Sequence, residues 1–372
     1  MRSGPLVGLR VLEFAGIGPG PYCAQLLSDA GADVVRIERP TSQIVTPHQI
    51  TLRGRRSVRL DLKDAGDIRV CRALIERAEV LIEGFRPGVM ERLGLGPGEA
   101  LSLNPALVYG RMTGWGQSGP LAQAAGHDIN YISLSGALHA IGSADRPIVP
   151  LNIVGDFGGG ALFLAFGILA ALAHARKTGE GQVVDAAICD GTTSMMSYIY
   201  GFLADGSWTD QRESNRLDGG AHFYNVYRCA DGKWISIAAY EAQFYRLLRE
   251  KLALTQPEFD HQLNRADWPA LRRRLEEIFA QRSRSEWCSL LEGTDVCFAP
   301  VLDLHEAPQH PHNVARQAFV EIDDIVQPAP APRFSKTPGS IQGPPAHPGE
   351  HNATIATDWG IPQEDAEHWL TR

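Results

Sequence analysis

The feature that most constrains the fold is a repeated alternation of short apolar runs with helical stretches across the N-terminal part of the chain. Residues 9–14 read as a strand, Gly16-Ile-Gly-Pro-Gly as a tight turn, 21–30 as a helix and 33–37 as a second strand. A second cycle follows, with 57–62 as a strand, 65–77 as a helix and 80–82 as a strand, and 107–112 adds a further one. Strands separated by helices are joined by crossovers, so they align in parallel and are covered on both faces. The expected class is therefore α/β with a parallel sheet.

The 372 residues exceed one average domain, and the texture changes after about residue 190. Residues 157–175, apolar and alanine-rich, predict a buried helix packed on the sheet. Beyond a polar stretch near residues 210–218, the segments Tyr224-Asn-Val-Tyr-Arg-Cys and Lys233-Trp-Ile-Ser-Ile-Ala flank Ala230-Asp-Gly, the pattern of a hairpin. Helices to about residue 292 then complete a smaller α+β domain, and the Pro-rich stretch 327–349 reads as an extended tail.

With a net charge of −8, the chain is not expected to bind nucleic acid, which requires Lys and Arg to neutralise phosphates. The six cysteines are scattered without metal-ligand spacing, so no metal site is expected and the thiols read as reduced, as in a cytoplasmic protein. The N-terminus lacks the apolar core of a signal peptide, and the run 161–173 is shorter than a bilayer span needs, so no membrane partner is expected.

Several clusters carry candidate chemistry. Gly16-Ile-Gly-Pro-Gly-Pro departs from a dinucleotide fingerprint because Pro21 stands where its last glycine would fall, and it reads first as a tight strand-to-helix turn. Arg36, Arg39, Arg53, Arg55, Arg56, Lys63 and Arg86 concentrate positive charge in an acidic protein, as a solvated rim or as a phosphate site. Gly126-His-Asp-Ile-Asn-Tyr opens a predicted helix, with Asp128 or Asn130 as its cap and His127 as a polar residue or a base. Asp156 lies before the triple glycine of Gly155-Asp-Phe-Gly-Gly-Gly, either as a cap or where those glycines let a substrate approach. Glu241 sits between a predicted strand and a predicted helix.

Together these segments resemble CoA-transferase family III, and within it the α-methylacyl-CoA racemase branch. The resemblance runs from Leu6-Val-Gly-Leu-Arg-Val-Leu-Glu through Ala32-Asp-Val-Val-Arg-Ile-Glu-Arg-Pro, Glu83-Gly-Phe-Arg-Pro-Gly-Val and Arg111-Met-Thr-Gly-Trp-Gly-Gln to Gly181-Gln-Val-Val-Asp-Ala-Ala. It implies a Rossmann-like large domain over residues 1–186, completed by 330–360, and a small domain over 223–315. Linkers at 187–222 and 316–329 and a tail at 361–372 make up the rest. Two chains are expected to interlock as a homodimer.

The same resemblance implies the chemistry. In the transferase branch the residue matching Asp156 is a nucleophile, whereas in the racemase branch it is an acid/base, and His127 and Glu241 favour the latter. Inverting a 2-methylacyl centre takes one base on each face of the α-carbon. His127 and Asp156 are implied as those bases, with Glu241 setting the tautomer of His127 and the Asp128 N–H stabilising the enolate oxygen. The implied substrate is an acyl-CoA, with no further cofactor required. Its coenzyme A portion is expected near Arg36, Ile37, Arg39, Arg53, Arg56, Lys63, Gly84, Arg86 and Tyr131. A transferase, or a non-catalytic acyl-CoA-binding protein, is the alternative.

Overall fold

The computed structural model describes residues 2–371, which divide into two compact units. The first comprises residues up to Ser135, Leu151–Met195 and the segment from Arg316 onward; the second comprises Gly136–Pro150 and Met196–Ala315.

The first unit is built on a six-stranded parallel sheet of β1 (Arg10–Phe14), β2 (Asp33–Glu38), β3 (Arg56–Arg59), β4 (Val80–Glu83), β5 (Val108–Thr113) and β6 (Gln182–Ala187). Their spatial order is β3-β2-β1-β4-β5-β6, the doubly wound order in which the chain reverses direction between β1 and β4. The strands are apolar on both faces because both are covered. On one side Leu12, Val35, Leu81 and Tyr109 meet α2 (Ala65–Arg77), and on the other Val11, Val34, Ile82 and Val108 meet α1 (Pro19–Asp29). Local sequence sets the helix starts. Pro19 opens α1, where its missing N–H costs nothing, and Asp64 caps α2 by accepting from the backbone N–H groups of Gly66 and Asp67.

The crossover from β5 to β6 carries α3 (Asp128–Leu134), a π-helical segment Val154–Leu162 and α4 (Phe163–Thr178); α5 (Ile188–Met195) follows β6. The stretch Leu151–Thr178 forms one continuous 28-residue helix, long and apolar enough to cross a membrane by length and composition, where the sequence suggests only a shorter run. Nor is it buried all round. Leu164, Ile168 and Leu172 lie in the core, but Leu162, Phe166 (73% exposed) and Leu169 form an uncovered apolar stripe on the other face.

The second unit holds a three-stranded antiparallel sheet of β7 (Tyr224–Arg228), β8 (Trp234–Ala238) and β9 (Phe298–Val301). The β7–β8 hairpin pairs Arg228 with Trp234 across the turn expected from Asp231-Gly. Its buried face packs on α6 (Ala242–Lys251), α7 (Trp268–Phe279) and α8 (Arg284–Leu291) through Tyr227, Ile235, Leu271 and Trp287.

Four expected boundaries differ, the first being that Gly136–Pro150, expected within the large domain, belongs to the second unit. The linker expected at 187–222 is structured: α5 belongs to the first unit, and a further helix, Ser197–Ala204, to the second. The linker expected at 316–329 forms a hairpin of β10 (Phe319–Ile322) and β11 (Ile325–Pro328). The expected tail contains α10 (Gln363–Leu370), which follows α9 (Asn352–Asp358) and packs on α2 with Trp369 only 3% exposed and its indole N–H on the Arg59 carbonyl at 2.8 Å. A large buried indole with a satisfied N–H anchors such a helix.

Candidate active site

In a doubly wound sheet, ligands bind where the strand order reverses, beyond the carboxyl ends of the strands. Here the turn after β1 (Ala15–Gly18) and the turn after β4 (Gly84, Phe85) diverge and open a cleft of about 700 Å³. Its wall also includes Arg36, Arg39, Thr113, Gly126, His127, Tyr131, Asn152 and Asp156. Six of the thirteen residues anticipated from the sequence therefore meet in one place: His127, Asp156, Arg36, Arg39, Gly84 and Tyr131.

His127 stands at the N-cap of α3 and is exposed. Its own N–H donates to Asn130 Oδ1 at 3.0 Å, so Asn130 reaches back to the cap rather than serving as the cap itself. The helix ends at Ser135, before Gly136 with its φ of 82°. Tyr131 donates its hydroxyl to the Gly126 carbonyl and sets its ring against Trp115, fixing the turn that presents His127. The Asp128 N–H is the first of α3 and has no acceptor within the helix, which leaves it available to a developing anion.

Asp156 caps no helix, contrary to the simpler sequence reading: it is the third residue of the π-helical segment. Such turns are rare and recur at functional positions. Its backbone N–H donates to Asp128 Oδ1 at 2.7 Å, and Asn152 Nδ2 donates to its Oδ2 at 3.4 Å. Half-burial pushes its carboxyl above the usual range; the Asp128 charge pushes the same way, while the Asn152 hydrogen bond and His127 oppose. On the cleft side it faces Gly18, whose φ of +69° only glycine adopts readily and whose Cβ, if present, would lie 3.2 Å from Asp156 Oδ2.

The triple glycine does not open the backbone to a substrate, as its composition suggested. A Cβ on Gly159 would stand 2.2 Å from Thr192 Oγ1 and 2.9 Å from the Ile188 carbonyl, and one on Gly160 would stand 3.0 Å from Pro19 Cβ. These glycines let the π-helical segment pack directly on α5 and on the start of α1.

The basic residues divide. Arg39 is exposed on the cleft rim, and Arg36, though 8% exposed, reaches the cleft while its Nε lies 2.8 Å from Glu38. Lys63 and Arg86 are exposed but outside the lining. Arg53 is not free for a phosphate: it is 2% exposed, paired with Asp29 at 2.6 Å and bonded to Gln327 and the Pro328 carbonyl. Arg56 is held by Asp33 and Asp358, and Arg55 is buried against Glu13. Ile37 lies in the core at 3% exposure, so its side chain touches no ligand. Glu241 belongs to the second unit, exposed at the N-cap of α6, and its pairing with His127 rests on the resemblance alone.

Sequence reasoning missed Asn152 and Glu83, and read Gly18 first as part of a tight strand-to-helix turn. Asn152 carried a signal, since it precedes Asp156 by one helical turn. Glu83 ends β4 in the cleft wall, where it accepts from the Phe85 N–H and from Arg111; burial raises its proton affinity.

Comparison with known proteins agrees with this geometry. Residues 6–352 match the model of CoA-transferase family III. The chain is 43% identical to the α-methylacyl-CoA racemases of Mus musculus and Homo sapiens, across 97% of this chain and 94% of each relative. It is 29% identical to the acetyl-CoA:oxalate CoA-transferase of Acetobacter aceti over 97% of both. A CaiB/BaiF family protein of Brucella suis superposes with a TM-score of 0.83 at 26% identity, covering 96% of this chain and all of that one. The doubly wound sheet, the cleft at its reversal point and these matches together establish that the chain belongs to CoA-transferase family III.

Proposed function

We propose that this protein interconverts the R and S forms of 2-methylacyl-CoA thioesters by removing and returning the proton at the α-carbon. The observation that carries this reading is the convergence of His127 and Asp156 on one cleft, in a chain 43% identical to α-methylacyl-CoA racemases over nearly its full length. An imidazole and a carboxyl on the same cleft supply the two bases that inversion requires, each able to take the proton that the other replaces. The raised proton affinity of Asp156 brings it closer to the working range of an acid/base.

A thioester α-proton is far less acidic than either group, so the enolate oxygen must be stabilised by donors already in place. The Asp128 N–H, at the positive end of α3, fills that role. The coenzyme A phosphates are read as meeting Arg39 and Arg36 at the rim, with Arg86 beside Tyr131. No further cofactor is part of this reading, and the protein is read as cytoplasmic.

The exposed stripe of Leu162, Phe166 and Leu169 supports the expectation that two chains associate, since apolar area of this kind is costly in water. Glu241 of one chain would then reach His127 of the other.

The transferase alternative uses Asp156 as a nucleophile on the thioester carbonyl, expelling the CoA thiolate and leaving an acyl anhydride. It has no use for His127. Incubating the purified protein with one epimer of a 2-methylacyl-CoA and following optical purity separates the readings. Loss of optical purity without any acceptor acid is expected. Retained purity, with a hydroxylamine-trapped adduct on Asp156, would assign the transferase instead.

A further inference from the structure

Asp128 follows His127 as the first residue of α3, but its side chain does not line the cleft. The carboxylate is 8% exposed and its Oδ1 accepts the Asp156 backbone N–H at 2.7 Å. Room for it is made by Gly155, where a Cβ would fall 2.3 Å from Oδ1. Oδ2 is buried with no hydrogen-bond partner. A neutral amide would satisfy the same N–H, and burying a carboxylate with an unpartnered oxygen is unfavourable, so the charge itself calls for a reason.

We infer that Asp128 is the positioning residue for Asp156: its carboxylate, held against the Asp156 backbone, fixes the π-helical turn from which that side chain emerges and sets an anion beside it. The inference rests on the epimerisation reading for its catalytic consequence, not for its electrostatic one. α3 thus links the two bases, presenting His127 from its cap and holding Asp156 through its first residue. The ionisable groups acting on or beside Asp156 are His127 at the cap of α3 and Asp128 and Tyr131 within it, with Arg86 and Cys189 of α5 near Tyr131. Gly16–Gly20, which packs on the opposite side, carries none.

A neighbouring anion disfavours a second one, so Asp128 raises the proton affinity of Asp156 and its neutralisation lowers it. The two bases work in their singly protonated form, so the acidic limb of kcat/KM reports the carboxyl. Asp128→Asn keeps an acceptor for the Asp156 N–H and should move that limb to lower pH. Asp128→Ala removes the tether as well and should lower kcat by about tenfold or more with little change in KM.

The test is the pH profile of α-proton exchange for both variants, together with a carbon NMR titration of the Asp156 carboxyl, assigned through Asp156→Asn. A lowered Asp156 titration in Asp128→Asn, with rescue of rate relative to Asp128→Ala, is the expected result. An unmoved titration, or equal losses in both variants with unshifted limbs, would reduce Asp128 to a structural contact and overturn the inference. Absence of exchange in the wild type would instead remove the epimerisation reading, and the titration would still decide the electrostatic role.

Discussion

Arg53 and Arg39 belong to the same basic stretch of sequence, yet they meet opposite surroundings. Arg53 is buried at 2% exposure, its guanidinium shared between Asp29, Gln327 and the Pro328 carbonyl, while Arg39 stands exposed on the cleft rim. The glycines repeat the contrast. Gly159 is buried where a methyl group would strike Thr192, and Gly18 faces the cleft with its backbone in a conformation that leaves Asp156 unobstructed. Residue type tells what a position can do; whether a partner already occupies it tells what it does. Arg53, Arg55 and Arg56 are consumed in ion pairs; of the two arginines on the cleft, Arg36 is also paired, with Glu38, and Arg39 stands exposed.

The sharpest way to break this comparison is Arg53→Ala. It leaves Asp29 buried without its counter-charge and should cost about 3–5 kcal/mol in urea unfolding. A loss comparable to that of an exposed residue would remove Arg53 from the frame and restore it as a ligand candidate. Next in size is Gly159→Ala, whose Cβ meets both a side chain and the Ile188 carbonyl; about 1–3 kcal/mol of destabilisation is expected, because backbone on α5 cannot yield as a side-chain tip does. Gly18→Ala sharpens the other half. Its strained φ should cost about 1–2 kcal/mol, but its larger signature should be a fall in kcat, read by steady-state kinetics at unchanged fold. Smallest is Arg39→Ala, expected to leave stability within about 0.5 kcal/mol and weaken coenzyme A binding by roughly five- to thirtyfold in calorimetric titration. A wild-type Kd there would exclude Arg39 from the phosphate site.

The strand-helix alternation was legible in the sequence because both signals are local: periodicity identifies the element, and Asp231-Gly232 marks the hairpin turn. His127 and Asp156 were legible as candidates through their motifs and the family resemblance, and the structure adds that they share a cleft. What sequence could not convey was pairing at long range. Arg53 and Arg56 are claimed by Asp29, Asp33 and Asp358, and nothing local distinguishes them from Arg39. The triple glycine was misread for the same reason, since its packing partner lies beyond β6 in α5. The π-helical register was also hidden, as it depends on the Asp128 carboxylate taking a backbone N–H from another element. α10 had a local clue in Trp369, but its docking surface is α2, far away in the chain.

The central claim is that His127 and Asp156 serve the same α-carbon from one cleft. The most direct measurement is proton NMR of the α-hydrogen of each epimer of a 2-methylacyl-CoA in deuterated buffer, with wild type, His127→Ala and Asp156→Ala and no acceptor acid present. Exchange with racemisation in the wild type, and racemisation slowed by about a hundredfold or more in both variants, is the predicted result. Racemisation at the wild-type rate in either variant would contradict it, as would an inert α-hydrogen in a wild type that transfers CoA once a carboxylic acid is added.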